Sequence, residues 1–341
     1  MLCRPGTFVS DPGLSECVPC AKGSFTAKNG TQTCTLCLKG QFQPLESQTT
    51  CISCAKGRFS SVTGAADCVD CQPGTAVNIT GALQCDPCAE GYFEHQPGAA
   101  VCSLCPKGTF NPNTQRSTCQ NCPGGRFGNA TGLTQCFSCA PGSSQSQTGQ
   151  TSCVLCSAGS SMDLTGQLTC VLCSTGKFSA LNGSSQCTPC PSTQYQNLPG
   201  QSRCSACPKG KASSATGAST CIDCLVGEFA NRTGLSACFN CQPGEFQPLP
   251  AESSCLLCPP SSYSPSPSAS ECLLCPSGRY SNRNGTTQCT DCAIGSAQLL
   301  NGQTRCDNCT SGKFAPVTGL SSCEVSLSAV DSCPFVLLTI V

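Results

Sequence analysis

The segment CAKGSFTAKNGTQTCTLC, residues 20–37, contains the pattern that decides the fold. It reads Cys-x-x-Gly-x-Phe, then a variable stretch with a second glycine, then Cys-x-x-Cys. One series of cysteines recurs at every seventeenth position from Cys17 to Cys323, and a second series, offset by three positions, runs from Cys3 to Cys309. Because no residue is inserted or deleted at any junction, the sequence predicts a tandem array of nineteen repeats of fixed length.

Composition places the chain among disulfide scaffolds. Its 341 residues include 39 Cys, 34 Gly and 25 Pro but no Trp. Thiols at this density are typical of an oxidising compartment, so we expect an extracellular or cell-surface location. Lys plus Arg and Asp plus Glu both number 18, without a basic cluster, so neither nucleic acid nor an anionic membrane is an expected partner.

Two glycines and one aromatic residue define each repeat. The first Gly is present in seventeen repeats, with Thr193 and Ser261 as exceptions, and the second is present in fifteen. Asn or Thr often precedes the second Gly, which is typical of hairpin turns, so we expect two short strands joined by this turn and no helix. Phe or Tyr follows the first Gly by two positions in fourteen repeats. One ring is too little apolar surface to order a whole repeat, so each repeat must depend on cross-links and on its neighbours.

The predicted fold is a small disulfide-rich array of β-hairpin units with no helix, forming an elongated solenoid-like rod of nineteen 17-residue one-disulfide repeats over residues 1–323. Two stackings stay open: solenoid coils advancing about 4.8 Å per repeat, or hairpins laid end to end through Cys-x-x-Cys, advancing nearer to about 10 Å.

The two ends of the sequence differ from the array. Residues 324–341 form an out-of-register tail, in which Ser326 stands where a cysteine is due and Cys333 is out of phase, and we expect this tail to be truncated or unstructured. No signal-peptide pattern is visible before the first repeat in this sequence. We therefore expect the sequence to be a fragment of a longer secreted or membrane-anchored protein.

Four uniform disulfide schemes are possible, joining cysteines that are three, fourteen, twenty or thirty-one positions apart. The 14-residue spacing uses all 38 in-register cysteines and leaves over only Cys333, and it closes a loop large enough to contribute about 3 kcal/mol. We favour this spacing, and the other three stay open. The favoured pairs are Cys3 with Cys17, Cys20 with Cys34, Cys37 with Cys51, Cys54 with Cys68, Cys71 with Cys85, Cys88 with Cys102, Cys105 with Cys119, Cys122 with Cys136, Cys139 with Cys153, Cys156 with Cys170, Cys173 with Cys187, Cys190 with Cys204, Cys207 with Cys221, Cys224 with Cys238, Cys241 with Cys255, Cys258 with Cys272, Cys275 with Cys289, Cys292 with Cys306, and Cys309 with Cys323.

Four motifs carry a resemblance to a known family: CRPGTF at Cys3, CAKGSF at Cys20, CPKGTF at Cys105 and CPSGRY at Cys275. They resemble the ephrin-receptor-like repeats of the growth factor receptor cysteine-rich group, and they are also similar to the first module of tumour necrosis factor receptor repeats. The resemblance implies an extracellular, disulfide-laddered module and supports the 14-residue pairing. No kinase segment, ligand-binding domain or membrane span accompanies the repeats, so receptor activity does not follow from the motif.

Asn-x-Ser/Thr sequons in one turn region of the repeat predict N-glycosylation of a secreted chain. The six predicted sites are Asn29, Asn78, Asn129, Asn182, Asn231 and Asn284. A seventh sequon, at Asn308, has Cys309 as its middle residue. Asn also suits a turn for conformational reasons alone, which is the competing interpretation.

Repeats six apart match each other more closely than neighbours do. RFGNATGLTQCFSC, residues 126–139, aligns with EFANRTGLSACFNC, residues 228–241. We therefore expect a higher-order block of about 102 residues. The block records duplication alone, or it corresponds to one turn of a superhelix.

Catalysis and metal binding find little support. His95 is the only histidine, and we expect a solvated turn residue, no enzyme and no cofactor. The Cys-x-x-Cys pairs lack the helix start that activates a redox thiol. Zinc is the competing interpretation, because the cysteine spacing is near that of zinc ribbons, but 38 thiols do not divide into sets of four and every site would straddle repeats.

The sequence thus favours a non-enzymatic extracellular array that acts as a spacer, adhesion or surface-coat segment. The alternative is a receptor-type surface for protein or glycan, with Phe137 and Phe239 as first candidates, although ordinary packing also explains these rings. A zinc-binding cysteine array is a minor alternative. We expect an unknown protein or glycan ligand as partner, no nucleic acid, and no direct membrane insertion of this segment.

Overall fold

A computed structural model describes residues 2–11 and 16–325. Cys333 and the rest of 326–341 lie outside the described residues, so the expectations for the tail beyond Val325 are not addressed. The described residues form two compact units. One comprises the chain up to Val171 together with Leu181–Gln186, and the other comprises Leu172–Ala180 and the chain from Cys187 onward.

Each repeat forms one two-residue strand directly after its first glycine, and the two residues that follow its closing cysteine form a second strand. Throughout residues 2–11 and 16–325 the regular elements are strands of these two kinds, and the predicted β-hairpin units without helix are confirmed. The strands are β1 Thr7–Phe8, β2 Val18–Pro19, β3 Ser24–Phe25, β4 Thr35–Leu36, β5 Gln41–Phe42, β6 Ile52–Ser53, β7 Arg58–Phe59, β8 Val69–Asp70, β9 Thr75–Ala76, β10 Asp86–Pro87, β11 Tyr92–Phe93, β12 Ser103–Leu104, β13 Thr109–Phe110, β14 Gln120–Asn121, β15 Arg126–Phe127, β16 Phe137–Ser138, β17 Ser143–Ser144, β18 Val154–Leu155, β19 Ser160–Ser161, β20 Val171–Leu172, β21 Lys177–Phe178, β22 Thr188–Pro189, β23 Gln194–Tyr195, β24 Ser205–Ala206, β25 Lys211–Ala212, β26 Ile222–Asp223, β27 Glu228–Phe229, β28 Phe239–Asn240, β29 Glu245–Phe246, β30 Leu256–Leu257, β31 Ser262–Tyr263, β32 Leu273–Leu274, β33 Arg279–Tyr280, β34 Thr290–Asp291, β35 Ser296–Ala297, β36 Asp307–Asn308, β37 Lys313–Phe314 and β38 Glu324–Val325.

The return strand of each hairpin is the middle of Cys-x-x-Cys. In repeat 4, Phe59 of β7 faces Val69 of β8 in an antiparallel register. The N–H of Cys71 then donates to the carbonyl of Gly57 at 2.9 Å, which extends the ladder to the next cysteine. The Cys-x-x-Cys segment is therefore one strand of a hairpin. Of the two stackings left open by the sequence, the one in which this segment only links hairpins laid end to end is wrong. The second glycine lies in the long loop between the paired strands.

Nineteen disulfides tie the loops to the interior, one in each repeat, and the sequence separation of the bonded cysteines is 14, from Cys3–Cys17 to Cys309–Cys323. The Cα atoms of a pair lie 5.6 to 5.8 Å apart, within the ordinary range for disulfides. The opening cysteines from Cys3 to Cys292 are at most 2 % exposed. The predicted architecture of nineteen one-disulfide repeats is thus confirmed.

Backbone hydrogen bonds join each repeat to the next within each compact unit. The N–H of Gly57 donates to the carbonyl of Val77 in the next repeat at 2.9 Å, and the N–H of Gly81 donates back to Cys54 at 2.8 Å. A parallel bridge pairs Phe59 with Ala82. Successive loops therefore satisfy each other's backbone groups, as the stacked turns of a repeat protein must.

The core consists of small clusters at these junctions. Phe59 packs on Cys71, Val77 and Ala82 of the following repeat. In the second compact unit, Ala212 occupies the aromatic position and is clustered with the equivalent residues of its own neighbour, among them Leu235. Each repeat is thus covered by the next, which accounts for how so short a unit with one ring becomes ordered.

Both glycine positions have a positive φ, even where the glycine is replaced. The first glycines have φ between 77° and 88°, as at Gly6 and Gly125. Among the described residues, every non-glycine residue with positive φ stands at one of these two positions. These six residues are Ser47, Gln115, Thr193, Ala251, Ser261 and Ser268.

Candidate functional site

The return strands are exposed to solvent. Both residues of each return strand are exposed, whereas the strands after the first glycine are mostly half-buried. The cause is the flanking disulfides, since the opening cysteine of the next repeat points inward and the two residues before it are held at the surface. The two residues inside Cys-x-x-Cys are therefore available for contact with a partner, together with the exposed residues of the loops.

Apolar return strands occur in consecutive repeats. In the second compact unit, β30 and β32 present Leu256, Leu257, Leu273 and Leu274, which are 48 to 61 % exposed. Leu257 partly covers a turn of the second repeat along, because a methyl group on Gly285 would lie 3.0 Å from its Cδ2. The aliphatic side chains thus cover glycine turns with one edge and meet solvent with the other.

Phe137 and Phe239, the candidates from the sequence, lie in equivalent return strands and face aromatic residues across the hairpin. Phe127 is opposite Phe137 and Phe229 is opposite Phe239. The ring centroids are 5.8 and 5.9 Å apart in tilted arrangements, a favourable geometry for aromatic pairs. Phe137 is 46 % and Phe239 is 41 % exposed. Phe137 and Phe239 therefore each pack against a second ring on one side and are accessible to solvent on the other.

All six predicted glycosylation sites are exposed in the loops. The loops position them through backbone turns and, for Asn182, through one side-chain bond, since its Oδ1 accepts the N–H of Ala158 in the preceding repeat at 2.8 Å. Asn308 lies instead in β36. His95 is also exposed, and its Nδ1 lies 3.6 Å from Glu94 Oε1.

A buried glutamine, which the sequence analysis missed, fastens some of the loops. It lies six positions after the opening cysteine, at a buried site that we call the inner position. Gln247 Nε2 donates to the carbonyl of Ser254 at 2.7 Å, and its Oε1 accepts the N–H of Leu249 at 3.1 Å. The same pair of bonds is made by Gln43, Gln145, Gln196 and Gln298. The recurrence of Gln at one offset was the signal that could have revealed this clamp.

The side chains offer structural rather than reactive chemistry. The described in-register cysteines are bonded in pairs, and within the described ranges no group of three His, Cys, Asp or Glu residues could hold a metal ion. Charged residues form cross-strand pairs at the surface, such as Arg58 with Asp70 at 2.7 Å and Arg279 with Asp291 at 2.6 Å. Exposed pairs of this kind contribute little to stability.

The family model described as tyrosine-protein kinase ephrin type A/B receptor-like matches residues 23–71, 91–135, 159–200, 176–224 and 227–271, which together exceed half of the chain. A search of curated proteins found no match. Among the described residues, no helix is long and apolar enough to cross a membrane. The disulfide-rich repeats indicate an extracellular, receptor-like module of a non-catalytic repeat type. The resemblance seen in the sequence is thus confirmed, and the chain belongs to the ephrin type A/B receptor-like family of cysteine-rich repeats.

Proposed function

We propose that this chain acts as an extracellular spacer or surface-coat segment, whose repeats hold the parts of a larger assembly at a set separation. The observation that carries the proposal is the continuity of the array. Within each compact unit, repeats have their own disulfides and give backbone hydrogen bonds to the next repeat, as in the bonds of Gly57 to Val77 and of Gly227 to Gln247. Repeats joined in this way add a constant increment each.

The same features suit the segment to mechanical and chemical exposure. Each covalent bridge closes its own short loop, so an opening in one repeat leaves the bridges of the others intact. Adhesion would use the same scaffold with a partner bound on the return strands. The spacer role does not require such a partner.

In-register deletions test the spacer function. Removal of residues 105–121 deletes one repeat, and removal of residues 105–155 deletes three, while both keep the cysteine register. We expect secreted, fully oxidised proteins. The decrease in their longest dimension, measured in electron micrographs, should be about three times larger for the three-repeat deletion than for the one-repeat deletion. Displayed between a cell anchor and a binding module, the same variants should shorten the gap between apposed surfaces in that ratio. Variants that fold but leave the gap unchanged would contradict a spacer role.

A second function is favoured by the paired rings at Phe137 and Phe239. A half-exposed ring supported by a second ring provides a flat apolar contact for a protein or glycan ligand. Replacement of both by Ala tests it, with Ile52→Ala as the matched control. Ile52 faces Phe42 in the same register and is 48 % exposed. Loss of cell binding in the double variant but not in the control supports a receptor surface. Equal binding by both variants contradicts a receptor surface.

A further inference from the structure

The six exposed sequons fall in every third repeat: repeats 2, 5, 8, 11, 14 and 17. Three of the asparagines stand seven positions after the opening cysteine and three stand nine positions after it. The first group is Asn78, Asn129 and Asn231, and the second is Asn29, Asn182 and Asn284. The repeats between them lack a sequon in this loop, so the spacing is regular although the position within the loop is not.

The loops retain the tripeptide rather than a particular asparagine. Repeat 14 reads NRTGL over residues 231–235, and repeat 17 reads NRNGT over residues 282–286. In repeat 17, Asn282 has no hydroxyl residue two positions later, because Asn284 stands where repeat 14 has Thr233. That same Asn284 begins a new sequon with Thr286. Repeats 8 and 14, which are six apart, keep the position, as Asn129 and Asn231 do, whereas between repeats 14 and 17, which are three apart, the position changes and the sequon persists.

Turn formation does not account for the pattern. Asn301 precedes Gly302 in the same turn, but the next residue is Gln303 and no sequon results. Its Oδ1 accepts the N–H of Ser277 at 2.8 Å, as the Oδ1 of Asn182 accepts the N–H of Ala158. The turn therefore uses the asparagine oxygen in both cases and has no need of the hydroxyl residue that follows.

The repeat that follows each sequon-bearing repeat has a Gln or Glu residue at the inner position. It is a glutamine in five repeats and Glu94 in the sixth, all at most 8 % exposed. The backbone carbonyl of this residue accepts the N–H of the first glycine in the sequon-bearing repeat, as between Gly227 and Gln247 at 2.8 Å. Each sequon loop thus packs beside a loop fastened by the clamp, so sequon and clamp together define a larger unit of three repeats.

We propose that the chain carries one N-linked oligosaccharide in every third repeat, on the exposed loops of these six asparagines. The inference rests on the proposed extracellular function, because the sugar donor, a polyprenyl-pyrophosphate-linked oligosaccharide, is met only on secretion. The asparagine Nδ2 forms a bond to C1 of the first sugar, the bond from C1 to the phosphate oxygen breaks, polyprenyl pyrophosphate leaves, and the amide loses one proton. For Asn182, the bond from Oδ1 to Ala158 fixes the amide while Nδ2 carries the glycan.

The full chain, fused to a secretion signal and expressed in a eukaryotic host, provides the test. Enzymatic glycan release in ¹⁸O water converts each occupied Asn to labelled Asp, which is located by peptide mass spectrometry. We expect label at the six loop sites and none at Asn308, which lies in a return strand. Label that is absent from the six loops, or as frequent at Asn308 as in the loops, overturns the proposal.

A pair of variants in repeat 17 tests whether the tripeptide is what matters. Asn284→Thr destroys one sequon and completes another at Asn282, so the label should move by two positions. Asn284→Gln is the matched control and should leave this loop unlabelled. Secreted, fully oxidised protein without glycan contradicts this inference alone, whereas retention inside the cell with reduced thiols contradicts the extracellular function as well.

Discussion

A methyl group on Gly278 would lie 2.1 Å from the carbonyl oxygen of Gly319, which belongs to the second repeat further along the chain. The same approach joins Gly57 to Gly98 at 2.0 Å. The first glycine of a repeat thus contacts the second-glycine turn of the second repeat along. Glycine is needed there for two reasons, a positive φ and the absence of a side chain.

Gly278→Ala and Gly295→Ala separate these two reasons. Their φ values are +83° and +85°, but no described atom lies within 4 Å of a methyl group at Gly295. We expect Gly295→Ala to cost about 1–2 kcal/mol for the left-handed backbone, and Gly278→Ala to cost a further 1–3 kcal/mol, roughly, for overpacking.

Hydrogen exchange of the Cys292 and Cys309 amides measures the two costs locally, because these amides donate to the carbonyls of Gly278 and Gly295 at 2.9 Å. Equal acceleration of amide exchange in the two variants would show that the close approach of Gly278 to Gly319 does not contribute to the cost.

Thr193 and Ser261 occupy first-glycine positions with φ values of 75° and 79°. A side chain in this region is strained, and a β-branched one more so. We expect Thr193→Gly to stabilise its repeat by about 1–2 kcal/mol, and Ser261→Gly by less. Exchange of the Cys207 amide, which donates to the Thr193 carbonyl at 3.0 Å, should slow in the first variant. Faster exchange would indicate that the threonine side chain makes a compensating contact.

Repeat length, turn positions and hairpin class could be predicted from the sequence because they depend on local chemistry. A glycine at a fixed offset reports a backbone angle, and the six replacements that keep a positive φ show that the angle persists without the glycine. The position of the return strand could not be predicted in the same way. A two-residue strand such as Val69–Asp70 is too short to show an alternating pattern, and its pairing with β7 lies directly beside the Cys54–Cys68 disulfide.

The recurrence of Gln at one offset was visible in the sequence, but its burial could not be predicted, because glutamine in a variable loop normally meets solvent. Gln247 is only 4 % exposed, since the neighbouring repeats cover its loop and both ends of its amide replace bonds to water. Burial of this kind depends on how repeats stack, which single-repeat patterns do not report. The exposure of Leu256 and Leu257 could not be predicted either, because aliphatic side chains are usually buried.

Glu94 is the one clamp residue that lacks an amide. Its Oε1 accepts the N–H of Gln96 at 2.9 Å, as the glutamines do, but a carboxylate has no N–H for the carbonyl of Val101. We expect Glu94→Gln to add this bond and stabilise the loop by about 1 kcal/mol. Hydrogen exchange of the Gln96 amide should slow accordingly.

The reciprocal variant Gln145→Glu is the control. Gln145 Nε2 donates to the carbonyl of Ser152 at 2.9 Å, and the substitution removes this donor. Exchange of the Gln147 amide should accelerate by a factor of about ten, which corresponds to a loss of about 1.4 kcal/mol in loop stability. If neither substitution changes exchange, the clamp contributes nothing to loop stability.

Removal of one disulfide should have a local effect. Cys224 is fully buried in a cluster with Ala212, Ala230 and Leu235, and its bridge to Cys238 closes the loop of repeat 14. Replacement of both cysteines by Ala should cost about 3 kcal/mol by the chain-entropy model. Because each repeat contacts repeats up to two positions away, as Gly227 of repeat 14 approaches Ser268 of repeat 16, we expect faster amide exchange in repeats 12 to 16 and unchanged exchange in repeat 3.

Peptide mapping of the unreduced protein supplies the reference for this experiment, since each bridge should join cysteines with a sequence separation of 14. The double substitution should remove one such peptide and leave the other eighteen. Rearranged pairs would show that the neighbouring thiols are exchangeable. Loss of protection throughout the array would show that it unfolds as a single cooperative unit, so that one bridge stabilises repeats far beyond its own loop.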